Sequence, residues 1–190
     1  MRYFLIVLLL FCSSCIQIGS DPQPLHYYLL EAPFKPVQIH SGRKRNIAVE
    51  LTKIPEYLDH PQIVTYEKKN SIKLNNNHRW ANPLSDNILQ VVRENLALTF
   101  PDSIVTIQPW EKAEQPVIKL KLSVDKFYGK PGETISVAIR WRLVNAEGSL
   151  RYGTFAEQLP VEKTFNDLVA GLNDSLNHFS QSIAEQLANQ

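Results

Sequence analysis

The sequence predicts an α+β fold: a two-layer sandwich in which a mainly antiparallel sheet is packed by two amphipathic helices. Three observations predict it. Residues 118–124 and 135–143 alternate apolar and polar on either side of Gly129-Lys130-Pro131-Gly132, the pattern of a hairpin with one wet face. Phe165, Leu168, Val169, Leu172, Leu176, Phe179, Ile183 and Leu187 recur at three- and four-residue steps. Ile88, Val91, Val92, Asn95, Leu96 and Thr99 repeat that spacing on a shorter segment. Both stripes are amphipathic and need a sheet or a helix to cover them.

The elements follow in order. Tyr27–Leu30 is a short β-prone run. Ile47, Val49 and Leu51 alternate with Ala48 and Glu50, predicting a strand over 46–54 that Pro55 ends. Ile63–Tyr66 and Ser71–Leu74 flank Glu67-Lys68-Lys69-Asn70, a hairpin turn, and Asn75–Asn77 reads as polar punctuation. Asn82 is a suitable cap and Pro83 suits the first helical position of the shorter helix, which Pro101 closes. Ile104, Val105 and Ile107 make a short strand ending at Pro109. After the central hairpin, Asn145-Ala146-Glu147-Gly148 turns the chain into a third strand near 150–158. Thr164 with Asp167 three residues on forms a variant capping box for a terminal helix over 164–187.

The N-terminus has a separate character. Arg2, the apolar run Phe4–Phe11 and the small residues Ser13-Ser14 read as a secretory signal peptide over 1–14. The run is far short of the ~20 apolar residues that span a bilayer. Cys15 directly after two serines resembles the lipobox of bacterial lipoproteins, which implies acylation of its thiol. Each buried methylene of such an anchor contributes ~0.8 kcal/mol. Cys12, not Leu, stands three residues before Cys15. Ile16, and not Asp, follows the cysteine, which the family's sorting rule associates with the outer membrane, facing the periplasm. Residues 15–26 then form anchor and tether: Gln17–Pro24 has no periodicity and carries Gly, Ser, Asp and Pro. Residues 27–190 form one domain.

Charge excludes one class of partner. The chain carries 20 Lys+Arg against 19 Asp+Glu, and Arg2 leaves with the signal, so the mature balance is even. Nucleic acid has no electrostatic footprint to meet. Arg43-Lys44-Arg45 reads as a solvated basic loop. With Cys12 removed and Cys15 acylated no free thiol remains, so neither disulfides nor thiol chemistry are expected. No HExxH, GxSxG or Walker A motif occurs, and Gly129–Thr134 has the wrong spacing for a phosphate loop. The five histidines stand singly, where a metal needs three or more convergent ligands. Asp59-His60 lacks a positioned serine. No enzyme, metal or cofactor is expected.

Ile54-Pro55-Glu56-Tyr57-Leu58-Asp59-His60-Pro61-Gln62-Ile63-Val64-Thr65 resembles the "PEYLDRPQIV" segment of PqiC-like lipoproteins, the auxiliary components of ABC-type transporters. His78-Arg79-Trp80-Ala81-Asn82-Pro83-Leu84 is similar to that family's "RWAEPL" segment, and Tyr27-Tyr28-Leu29-Leu30 to its start. His60 replaces the usual Arg, and Asn82 a common Glu. The resemblance implies a docking or scaffold role without chemistry. Its partners would be an MCE-domain lipid conduit protein and that protein's inner-membrane partner, in a lipid transport system supporting membrane integrity. Tyr57, Leu58, Pro61, Gln62, Arg79 and Trp80 become contact candidates, with Phe127 and Tyr128 as an exposed aromatic tip ahead of the Gly-Pro turn. Open sheet edges suggest self-association, for instance as a ring. The alternative is a tethered periplasmic lipid carrier, which requires an apolar cavity between sheet and helices.

Overall fold

The computed structural model describes residues 23–32, 44–109, 117–145, 148 and 150–189. The signal peptide, Cys15, most of the tether and parts of the basic loop and the 145–148 turn lie outside these residues. In chain order the elements are β1 (His26–Tyr28), β2 (Asn46–Lys53), β3 (Gln62–Lys68), β4 (Ser71–Trp80), α1 (Leu84–Thr99), β5 (Ile104–Ile107), β6 (Val117–Gly129), β7 (Thr134–Val144), β8 (Leu150–Pro160) and α2 (Phe165–Ala188).

The strands join in one eight-stranded sheet. The α+β class holds, but the sheet is mixed, not mainly antiparallel. Among the described residues, four of its seven ladders are parallel (β1–β4, β2–β5, β2–β6, β3–β6) and three antiparallel (β3–β4, β6–β7, β7–β8). The antiparallel ladders all join strands adjacent in sequence. The parallel ones need long connections: α1 lies between β2 and its parallel partners β5 and β6. Alternation fixes which face a residue takes, but not the direction of the neighbouring strand. β2 does carry a trace of its setting, since Ile47, Ala48 and Val49 are buried on consecutive positions, as in a strand covered on both faces.

Both helices cover the sheet. α2 lies against β6, β7 and β8, and α1 packs against α2, β2 and β5. The layer between is filled by Leu120, Leu122, Val124 and Phe127 of β6, by Ile135, Val137, Ile139 and Leu143 of β7, and by the α2 stripe. Full burial of one such side chain contributes about 1.5–3 kcal/mol. Among the described residues no helix is long and apolar enough to cross a membrane.

The helix caps differ in origin. Thr164 caps α2 as its sequence suggests: Asp167 N–H donates to Thr164 Oγ1 (3.1 Å) and Thr164 N–H donates to the Asp167 carboxylate (3.0 Å). At the other end Arg151 of β8 donates to the carbonyl of Gln186 (3.2 Å), placing a cation at the negative end of the helix dipole. α1 begins differently from expectation. Pro83 itself is the N-cap residue and supplies no side-chain bond. Asp59 reaches in from the preceding loop and accepts the Ser85 N–H (3.2 Å). The acid at Asp59 is thus a cap contributed from afar.

Two irregularities aim side chains. A bulge between Val124 and Lys126 resets the alternation of β6, so that Phe127, not Lys126, turns into the core. β4 continues through the predicted punctuation at Asn75–Asn77. Asn75 is buried, and its Nδ2 donates to the Ile63 carbonyl (2.8 Å) and Thr65 Oγ1 (3.1 Å), bridging the place where the register jumps from Ile63–Asn75 to Gln62–Arg79.

Candidate functional site: a plate at the chain entry

Loop 54–61 and the end of β4 meet in one plate. Pro55 accepts the Leu58 N–H (2.9 Å) and Glu56 the Asp59 N–H (3.1 Å), closing a tight turn. Trp80 N–H donates to the Pro61 carbonyl (2.8 Å), and Gln62 lies opposite Arg79 in the ladder. Leu58 and Trp80 are buried beneath this turn and anchor it; Pro61 is exposed, and Tyr57, Gln62 and Arg79 are half-buried. Arg79 Nε donates to the Asn76 carbonyl (3.0 Å), which aligns its guanidinium along the plate without neutralising it.

Tyr57 reaches the polar face of the sheet, near Asp125 and Tyr128. Burial, with those two neighbours, pushes its phenol above the ordinary value, so it stays a neutral hydroxyl. Tyr128 is half-buried and meets Tyr66 edge-on, ring centroids 6.4 Å apart. Phe127 is buried at 2 % exposure, so the expected exposed aromatic tip does not form. The β6 bulge is the cause: it turns Phe127 inward and leaves Tyr128 on the other face.

The chain enters the domain beside this plate. β1 pairs parallel with the end of β4, His26 with His78 and Tyr28 with Trp80, and Ala81 N–H donates to the Tyr28 carbonyl (2.8 Å). His78 sits between two rings, with His26 at 5.2 Å and Phe165 at 3.6 Å between centroids, both nearly parallel to it. Tyr28 Oη and His78 Nδ1 share a hydrogen bond of 2.8 Å. Burial, then the neighbouring His26, holds His78 below the ordinary imidazole value.

The residues just after β1 make contacts that sequence reasoning missed. Buried Asn87 of α1 mimics a strand edge: its Oδ1 accepts the Leu30 N–H (2.8 Å) and its Nδ2 donates to the Leu30 carbonyl (3.0 Å). Asn173 of α2 accepts the Glu31 N–H (2.8 Å). The entry segment is therefore clasped by both helices. The signal was in the sequence: Asn87 and Asn95 are polar residues on the buried face of α1. Such residues need a partner.

The predicted basic loop is corrected in part. Arg45 is buried, its guanidinium 5.4 Å from the centroid of the Phe100 ring, so that charge stacks inside the domain. His178 Nδ1 lies 3.1 Å from Glu157. Among the described residues no three His, Cys, Asp or Glu side chains gather as a metal site would require.

Fold and site together define a class: a mixed-sheet α+β domain that presents a Pro-bracketed plate beside a firmly clasped N-terminal entry. The sequence matches the family of ABC-type transport auxiliary lipoprotein components over residues 28–184, and the chain belongs to that family. It is 26% identical over 148 residues to the intermembrane transport lipoprotein PqiC of Escherichia coli (strain K12), covering 77% of each chain. The protein of that name from Shigella flexneri matches equally. Two crystal structures share the fold: an uncharacterized protein (TM-score 0.73, 22% identity, 87% of this chain and 99% of the other), and a Xanthomonas campestris protein (TM-score 0.67, 13% identity, 83% and 92%).

Proposed function

We propose that this chain is the outer-membrane-side lipoprotein subunit of an MCE-type intermembrane lipid transport system. It acts by docking and carries out no chemistry of its own. Cys15 holds it to the periplasmic face of the outer membrane, and the plate of Tyr57, Pro61, Gln62 and Arg79 meets the MCE-domain conduit protein, or a second copy of the chain in a ring. Family membership and the PqiC similarity support the transport setting. The observation that carries the docking role is the geometry of the plate. It is pinned from below by Leu58 and Trp80, and one backbone hydrogen bond, Ala81 to Tyr28, links it to the strand that leads back toward the anchor.

Reach is consistent with this reading. Ten residues lie between Cys15 and His26, eleven Cα steps, so the start of β1 can stand at most about 40 Å from the lipid surface. A tyrosine held between prolines offers contact area at small entropic cost. The carrier alternative is disfavoured because side chains fill the layer between sheet and helices.

The test places a photo-crosslinking residue at Tyr57, Gln62 or Arg79 in cells. Adducts with an MCE-domain protein, or between copies of the chain, are expected. Adducts with neither from all three positions would remove the docking role. Acyl labelling that survives Cys15→Ala would remove the anchor assignment.

A further inference from the structure

The polar face of the sheet carries a second feature, away from the plate. An open groove of about 810 Å³ crosses four strands, from Lys53 of β2 over Lys121 and Ser123 of β6 and Arg140 and Arg142 of β7 to Tyr152 of β8. A volume in this range suits a small ligand.

Its charge is unusual for a chain balanced overall. Lys121 and Arg142 are direct cross-strand partners, with Tyr152 next to Arg142 in the following ladder. Like charges set directly opposite one another destabilise a sheet. Lys121 is compensated by Glu50 (3.3 Å). Arg140 is compensated by a bidentate pair with Asp125 (2.7 and 2.8 Å), and it also donates to Ser123 Oγ (3.1 Å). Arg142 forms no ion pair among the described residues, and Lys53 forms none either, although it lies near enough to Asp125 to help hold that carboxyl below its ordinary value. The groove thus holds four cations with two acids beside them. The two acids offset only part of that charge, and a local rule broken with partial compensation marks a place where an added anion would complete the site.

The bonds already made have an organising effect. Asp125 and Ser123 hold the guanidinium of Arg140 in place, and Arg142 stands two residues along on the same face. At the rim Tyr152 is 75% exposed, and Leu150, two residues before it on the same face of β8, is 49% exposed. Cations with hydroxyls at the floor and an exposed aromatic at the rim fit an anion attached to an apolar body.

We infer that this groove binds a phosphate-bearing anion, with Lys53 and Arg142 supplying the charge and Tyr152 covering the ligand. Two sources share that chemistry, a phospholipid headgroup and free phosphate. The site rests on its own geometry and does not depend on the transport reading.

The test uses the full chain in an uncharged detergent, titrated calorimetrically with inorganic phosphate, dihexanoyl-phosphatidylglycerol and zwitterionic dihexanoyl-phosphatidylcholine. Saturable binding of phosphate or of phosphatidylglycerol is expected. Equal affinity for both names free phosphate as the ligand, and tighter binding of the lipid names the headgroup. Lys53→Gln with Arg142→Gln should weaken binding about tenfold or more. Lys53→Arg with Arg142→Lys keeps the charge and should retain binding. Lys68→Gln with Lys73→Gln, on the exposed β3–β4 hairpin, removes as much charge elsewhere and should have no effect. The inference is overturned by no saturable binding of either anion, by phosphatidylcholine binding as well as phosphatidylglycerol, or by equal losses in the groove and hairpin variants.

Discussion

Asn87→Ala tests whether the entry segment is clasped or merely adjacent. The side chain is 5% exposed and satisfies both polar groups of the Leu30 backbone, itself 2% exposed. Two responses to truncation compete. If the segment stays, the Leu30 N–H and C=O are stranded, at about 1–3 kcal/mol each. If it peels away, the Leu30 side chain loses its burial, worth about 1.5–3 kcal/mol. The Glu31 bond to Asn173 goes too, about 1 kcal/mol, while the freed backbone regains entropy. Peeling is the less costly route, so the loss should settle near 2 kcal/mol and be local. Hydrogen exchange of the Leu30 and Glu31 amides should accelerate roughly thirtyfold, while the central β6–β7 amides keep their protection relative to global stability. Asn173→Ala should affect Glu31 alone, by about 1 kcal/mol or less. Unchanged exchange at Leu30 in the Asn87 variant would refute the clasp.

Gly153→Ala should cost about 1–3 kcal/mol in urea unfolding, because the new Cβ would lie 2.8 Å from Trp141 Cζ2 and 3.0 Å from Cε2, so the half-buried ring must move. A loss below about 0.5 kcal/mol would show that the ring gives way freely. Thr164→Ala removes the capping box of α2 and should cost about 1 kcal/mol, with helix-end amides exchanging faster. His78 has a lowered native value, so the unfolded chain takes up its proton more readily. Its stabilisation is full above the unfolded value of 6.5 and is lost as pH falls through the lower native one. His78→Phe should therefore flatten the stability slope on the acid side of 6.5, read from urea midpoints; an equal slope in both proteins would contradict the half-buried stack.

Periodicity made the helices legible, because a 3.6-residue stripe has one interpretation whatever covers it. The α2 cap was legible for the same local reason: donor and acceptor lie three residues apart. Long-range pairings were less so. Asp59 caps α1 from 26 residues away, and Asn87 clasps Leu30 from 57. Nothing near either residue announces its partner. Phe127 was misread because one extra residue in β6 inverts every later facing, and Asn75 because its side chain bridges the strands where it looked like a break. At the plate, the residues were legible from their segments, but the division between Leu58 and Trp80 below and Tyr57, Pro61, Gln62 and Arg79 above came only with burial.

The clasp changes what a tether can do. β1 has three residues, and three ladder pairs alone would fray under any pull from the membrane side. The segment after it is held instead by α1 through Asn87 and by α2 through Asn173, the two helices that cover the core. Tyr28 also accepts from Ala81, whose neighbour Trp80 donates to Pro61 in the plate. Tension on the chain before His26 is therefore shared by the core and the plate, and not by one short edge strand. The plate therefore keeps a fixed position relative to the point where the chain enters the domain. The proposed docking role requires that fixed relation: in it the leash would set the distance to the bilayer, and the clasp would set the orientation at which the plate is offered.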